Sequence, residues 1–98
     1  MSVLTWIIYD VVENRPRAKL AKTCKQFGLH RVQKSVFLGR LESNRFDELA
    51  QQCLDLIDEK QDSVYIFPFC QEDFKNIKVL GQGFDKKYVN DEVLAKFF

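Results

Sequence analysis

The run VLTWIIY at residues 3–9 constrains the fold more than any other stretch. It is rich in β-branched and aromatic residues and apolar on both alternating faces. A strand with one wet face would alternate, so this one predicts a central strand covered on both sides. Asp10 follows at once, with the parity of Leu4, Trp6 and Ile8. A lone carboxylate therefore stands at the end of a buried strand, and a basic stretch, NRPRAKLAK, comes next.

That stretch predicts a helix over about 14–27. Pro16 suits a first turn, where its missing N–H costs nothing. Leu20, Ala21, Cys24 and Phe27 make an apolar stripe, and Gly28 is the expected stop. RVQKSVFLGRL predicts a second strand over about 31–38. Val32, Val36 and Leu38 share one parity, and Phe37 takes the other, nominally outer one. Gly39 allows a bend or a close backbone approach. A second helix fits 44–59. Ser43 or Asn44 is its expected cap, and Phe46, Leu49, Ala50, Cys53, Leu56 and Ile57 form its core stripe. SVYIFPF predicts a third strand, with Pro68 pointing to a sheet edge or strand end. Residues 71–75 read as a turn and NIKVLG as a fourth strand. FDKKYV and EVLAKFF suggest a short strand and a short helix in the tail.

These elements are read as an α+β chain of ferredoxin-like βαββαβ order, two helices on one face of a four-stranded antiparallel sheet. The expected units are a domain over 1–81 and a C-terminal strand and tail over 82–98. The other sheet face must be solvated, bind something or meet a second subunit, and Phe37 on the outer parity favours burial by a partner.

Charge narrows the function. The formal net charge is +1, yet residues 11–45 carry nine basic residues and only Glu13 and Glu42 as acids. A basic front half on a near-neutral chain predicts a polyanion-facing side; an ordinary solvated helix face is the alternative. No apolar run approaches the roughly 20 residues of a membrane span. The first residues lack the basic, apolar and small-residue pattern of a secretory leader, so a cytoplasmic protein is expected. Cys24, Cys53 and Cys70 show no metal-ligand spacing and read as small hydrophobes of a reducing compartment. His30, the only histidine, has no nucleophile partner in the pattern. No phosphate-cradling glycine loop is present, and SVYIFPF lacks the aromatic pattern of RNA-recognition modules. The chemistry left is a carboxylate that can ligate a hard divalent cation, beside Arg15 and Arg17, which can hold phosphates. The alternative for Asp10 is a cap on the N–H groups of the following loop.

YD closing the first strand, basic residues opening the first helix, and RVQKSVFLGRL together resemble the small CRISPR-associated adaptation proteins of the Cas2 family. SVYIFPF followed by NIKVLG is similar to that family as well, so the resemblance covers about residues 2–81. It implies a homodimer with facing sheets, in which residues 82–89 add a strand to the partner's sheet. It implies a catalytic and metal-holding role for Asp10, paired with its own copy around Mg²⁺ or Mn²⁺. Tyr9 would flank that site, and Arg15, Arg17 and Arg31 would handle nucleic acid. Ser35 and Phe37 would lie near the interface or the site. The implied activity is metal-dependent endonuclease cleavage of single-stranded RNA or duplex DNA within spacer acquisition. A non-catalytic role, bridging DNA for a CRISPR integrase subunit, is the other reading. Three departures stand out: Pro16 separates Arg15 from Arg17, Val11 and Val12 follow the aspartate, and Leu38 stands where the family frequently has an acid.

Overall fold

The computed structural model describes residues 2–78, 80 and 81. Strand β1 (Ser2–Asp10) leads into helix α1 (Asn14–Gln26). A hairpin of β2 (His30–Gln33) and β3 (Val36–Glu42) follows. A 3-10 turn at Ser43–Arg45 enters helix α2 (Phe46–Leu56), and β4 (Ser63–Phe69) and a short helix α3 (Gln71–Lys75) come after it. The sheet order is β2-β3-β1-β4 with antiparallel pairing throughout. This is the ferredoxin-like arrangement, with β1 central as its two-sided apolar pattern requires. Among the described residues β4 is an edge strand, a position that tolerates Pro68.

The strands that satisfy this order are not all the expected ones. The elements written out from the sequence place one strand between the helices; the structure places two. The run over 31–38 folds back at Lys34 and Ser35, and a register shift lies between Arg31 and Gln33. The expected fourth strand at 76–81 is absent from the described residues of that stretch, and the turn expected at 71–75 is α3. β1 already pairs with β3 and β4 on its two edges. The chain after β4 instead crosses the outer sheet face, anchored there by Phe74 and Ile77. Cys70 and Asp73 form a reciprocal capping box that starts α3. The Cys70 hydrogen bond holds the Asp73 carboxyl below its ordinary range. The anticipated strand 84–89, helix 92–98 and the tail unit 82–98 lie outside the described residues.

Two apolar clusters sandwich the sheet. On the helix side, Ile7, Tyr9, Phe37 and Leu41 meet Leu20, Cys24 and Phe27 of α1 and Leu49 and Cys53 of α2. Both expected helix stripes face this layer. Helix α1 closes as a Schellman motif: Gly28 N–H donates to Lys25 O at 3.0 Å and Leu29 N–H to Cys24 O at 3.1 Å. Gly28 takes φ +86°, which a side chain would strain. Helix α2 begins without the anticipated side-chain cap from Ser43 or Asn44, because the 3-10 turn takes those residues. Gly39 is the close approach that the sequence suggested: a Cβ there would stand 3.2 Å from Leu29 Cα.

On the outer side, Leu4, Trp6, Leu38 and Phe74 form the second cluster, joined by Val32, Val36 and Phe69. Phe37 is therefore not on the outer face. The parity assignment was inverted: Val36 and Leu38 point outward, and Phe37 is fully buried against the helices. The outer face still presents Ile8, Tyr65 and Phe67, all exposed.

The cysteines are free thiols, two buried and one exposed. Burial pushes the Cys24 thiol up to about 12, with nearby Cys53 adding to the effect, and burial pushes Cys53 up to about 11. Thiolate is the reactive form, so a thiol reagent at about pH 8 is expected to label Cys70 rapidly and the other two only after denaturation. Intact-mass measurement counts the adducts; native labelling at Cys24 would contradict the packing.

Candidate functional site

One end of the sheet gathers the C-terminus of β1, the β2–β3 turn, the start of α1 and the start of β4. Asp10 ends β1 opposite Ser63 of β4, and it is exposed. Among the described residues its carboxylate has no hydrogen-bond or ion-pair partner. The loop-capping alternative is filled by a different acid: Val12 N–H donates to Asp62 Oδ1 at 2.9 Å. Asp62 Oδ2 also accepts from Asp58 N–H at 2.9 Å. Asp10 is thus free of the structural duty that would have explained it.

The residues around it are fixed. Tyr9 is buried, and its N–H donates to Ser35 O at 3.0 Å. Its ring stacks on Phe37 with centroids 6.3 Å apart. Arg31 Nη2 reaches the Tyr9 hydroxyl at 3.5 Å, and its guanidinium lies 5.2 Å from the Phe37 ring centroid. Arg17 donates from Nη1 to Val11 O at 3.4 Å and from Nη2 to Asn14 Oδ1. Between these groups lies an open cleft of about 360 Å³ lined by Asn14, Arg17, Ala18, Arg31, Lys34 and Ser35. Three cations on one small concave surface favour a phosphate group, which Arg can grip in a bidentate manner.

The structure brings together Tyr9, Arg17, Arg31 and Ser35, with Phe37 beneath them as a buried support. Arg15 is elsewhere. It lines a separate groove with Lys19 and Asp55, toward α2, because residues two apart on a helix do not share a face. Lys34 and Asn14 join the cleft although sequence reasoning did not single them out. Lys34 is placed by the hairpin turn, which no Gly, Pro or Asn marks. Asp62 was also missed; its partner Val12 lies 50 residues away in the chain.

A hard divalent ion asks for oxygen ligands, and Mg²⁺ keeps several waters while binding one or two carboxylates. Asp10 fits that pattern as one exposed carboxylate. Among the described residues no group of three or more His, Cys, Asp and Glu side chains is placed to hold a metal. Among the described residues, no helix is long and apolar enough to cross a membrane.

The family described as CRISPR associated protein Cas2 matches residues 1–77. The chain belongs to the Cas2 family. The CRISPR-associated endoribonuclease Cas2 of Desulforudis audaxviator is 37% identical over 76 residues, covering 78% of this chain and 72% of the relative. A CRISPR-associated endonuclease Cas1/endonuclease Cas2 fusion of Thermoproteus tenax is 41% identical over 46 residues, which is 47% of this chain and 17% of that protein. The crystal structure of Streptococcus pyogenes Cas2 superposes with TM-score 0.68 at 28% identity, covering 80% of this chain and 99% of that one. The Cas2 membership recognisable in YD, RVQKSVFLGRL and SVYIFPF is therefore sound, and the α+β fold agrees with it.

Proposed function

We propose that this Cas2-family chain acts in CRISPR adaptation as a homodimer that grips nucleic-acid backbones and holds a divalent ion at Asp10 for phosphodiester cleavage. The observation that carries the reading is an exposed Asp10, without a side-chain partner among the described residues, at the same end of the sheet as the Arg17–Arg31–Lys34 cleft. The relative named an endoribonuclease supports RNA as a substrate, with duplex DNA as the competing one. Exposed Ile8, Tyr65 and Phe67 on the face that carries Asp10 support burial by a second copy, since a twofold axis would bring two Asp10 carboxylates to one interface. Mg²⁺ or Mn²⁺ bound there would polarise a phosphoryl oxygen and acidify water. The chain's own work is positional. Asp10 offers oxygen ligands, Arg17, Arg31 and Lys34 hold phosphates, and the buried Tyr9–Phe37 pair keeps Arg31 in place. Arg15, on its separate groove, would touch a different phosphate.

A second reading has its own support. Among the described residues no cluster of three or more acidic, His or Cys side chains is placed to hold a metal, and the Thermoproteus tenax relative joins Cas1 to Cas2 in one polypeptide. A DNA-bridging subunit beside an integrase would need the basic surfaces and no cleavage.

Two measurements separate the readings. Purified protein is incubated with RNA and with duplex DNA, in Mg²⁺ and in EDTA. Cleavage that needs Mg²⁺ supports the nuclease; tight binding without cleavage of either substrate supports the bridge. Affinity is also measured against salt. Arg17→Ala and Lys34→Ala are each expected to reduce the slope of log K on log salt by roughly one, because each phosphate contact releases counterions. Arg15→Ala should act independently of Arg17→Ala, with free energies that add. An affinity indifferent to salt would remove the phosphate-gripping role.

A further inference from the structure

We propose that Asp62 is a positioning residue for Asp10: its carboxylate clamps the strand exit that carries Asp10 to the loop preceding β4. The inference rests on the reading of Asp10 as the ion-holding carboxylate. The clamp itself is visible in the hydrogen bonds. Asp62 joins two backbone N–H groups, Val12 at 2.9 Å through one oxygen and Asp58 at 2.9 Å through the other. The loop presenting it is closed on itself. Asp62 N–H donates to Asp58 O at 2.8 Å, Gln61 N–H to the same oxygen at 3.1 Å, and Lys60 N–H to Asp58 Oδ1 at 3.0 Å. Asp62 therefore comes from a preformed turn.

Val12 lies two residues after Asp10, just beyond the last ladder pair, Asp10 with Ser63. Beyond that pair the Val11 side chain is buried in the helix-side core, and among the described residues two side chains hydrogen-bond the backbone of residues 11 and 12, Arg17 on Val11 O at 3.4 Å and Asp62 on Val12 N–H. The Arg17 bond is long. Arg17 also faces the phosphate cleft, so bound nucleic acid competes for it. Asp62 is the hydrogen-bonding anchor that nucleic acid does not draw away, and it holds Val12, the residue after the buried Val11. A ligand carboxylate that must stay in place needs this kind of supporting shell.

A purely structural role predicts something different. The Val12–Asp62 bond is exposed, so water can replace it on mutation and the fold should survive. What is lost is order at residues 10–12. Asp62→Ala removes both bonds. Asp62→Asn keeps one acceptor oxygen and turns an N–H₂ toward the other amide, so it should be intermediate.

The test uses Mn²⁺ as the probe. Its binding to the full chain is followed by electron paramagnetic resonance for wild type, Asp62→Asn, Asp62→Ala and Asp10→Asn. Hydrogen exchange of the Val12 amide, melting temperature and RNA affinity are measured on the same samples. Asp62→Ala is expected to weaken Mn²⁺ binding by about 10-fold, the low end for outer-shell changes, and to deprotect the Val12 amide. Asp62→Asn should fall between, with melting temperature and RNA affinity unchanged in both. Wild-type Mn²⁺ affinity in Asp62→Ala, alongside lost binding in Asp10→Asn, would overturn the clamp and leave the Asp10 reading standing. Wild-type Mn²⁺ affinity in Asp10→Asn would overturn both. Parallel losses of melting temperature and RNA affinity in the two Asp62 variants would overturn the clamp in favour of plain stability.

Discussion

Asp10→Asn is expected to lower divalent-ion-dependent cleavage by more than about 100-fold, while nucleic-acid affinity stays within about twofold of wild type. The substitution isolates chemistry from folding. Asn matches Asp in shape, and the Asp10 carboxylate is exposed with no partner among the described residues, so no buried bond is broken. The change removes one negative charge and one oxygen ligand. Loss of an outer-shell partner alone costs about 10–100-fold in many metal sites, so loss of an inner ligand sets a higher floor. The cleft cations are untouched, and removing a carboxylate from the path of a polyanion does not weaken its attraction. Cleavage at the wild-type rate would sink the nuclease reading. A fall in affinity equal to the fall in rate would show that Asp10 serves binding rather than the transition state.

The parts of this molecule legible in its sequence were those set by local pattern. The two-sided apolar run at 3–9 placed β1 at the sheet centre. The stripe Leu20, Ala21, Cys24 and Phe27 placed the buried side of α1, and Gly28 marked its end. Gly39 was recognised as a close approach, and it lies against Leu29. The failures came where a long-range partner decides. RVQKSVFLGRL carries no Gly, Pro or Asn at Lys34–Ser35, so periodicity alone ran two strands into one. The resulting parity put Phe37 outside, and only packing against Tyr9 and α1 shows otherwise. The stretch CQEDFK conceals a capping box because Cys is an unusual N-cap. At the site, Asp10 and Arg17 stood out by charge and position, and Arg31 by the family resemblance. Lys34 depended on the hairpin turn, and Asp62 on a single hydrogen bond across 50 residues.

Phe37 is where stability and site meet, and its two truncations are expected to separate them. Phe37→Ala removes a fully buried ring and leaves a cavity between sheet and helices. Such a change costs about 3–5 kcal/mol, against a total near 5–15 kcal/mol for a domain. At about 4–8 °C per kcal/mol for a domain of this size, the melting temperature should fall by tens of degrees. Phe37→Leu keeps four of the seven side-chain carbons and is expected to cost about 1–3 kcal/mol, less than the alanine truncation. It still removes the aromatic face that Tyr9 stacks on and that the Arg31 guanidinium approaches at 5.2 Å. A cation over a ring is worth about 0.5–2 kcal/mol. Phe37→Leu should therefore remain folded by thermal melt yet bind nucleic acid several-fold more weakly, with Arg31→Ala adding little further loss. Strict additivity of the two substitutions would mean that the ring does not hold Arg31. Coupling between them would tie the phosphate cleft to the helix-side core. That link would make a ring expected at the surface useful to the site from within the interior.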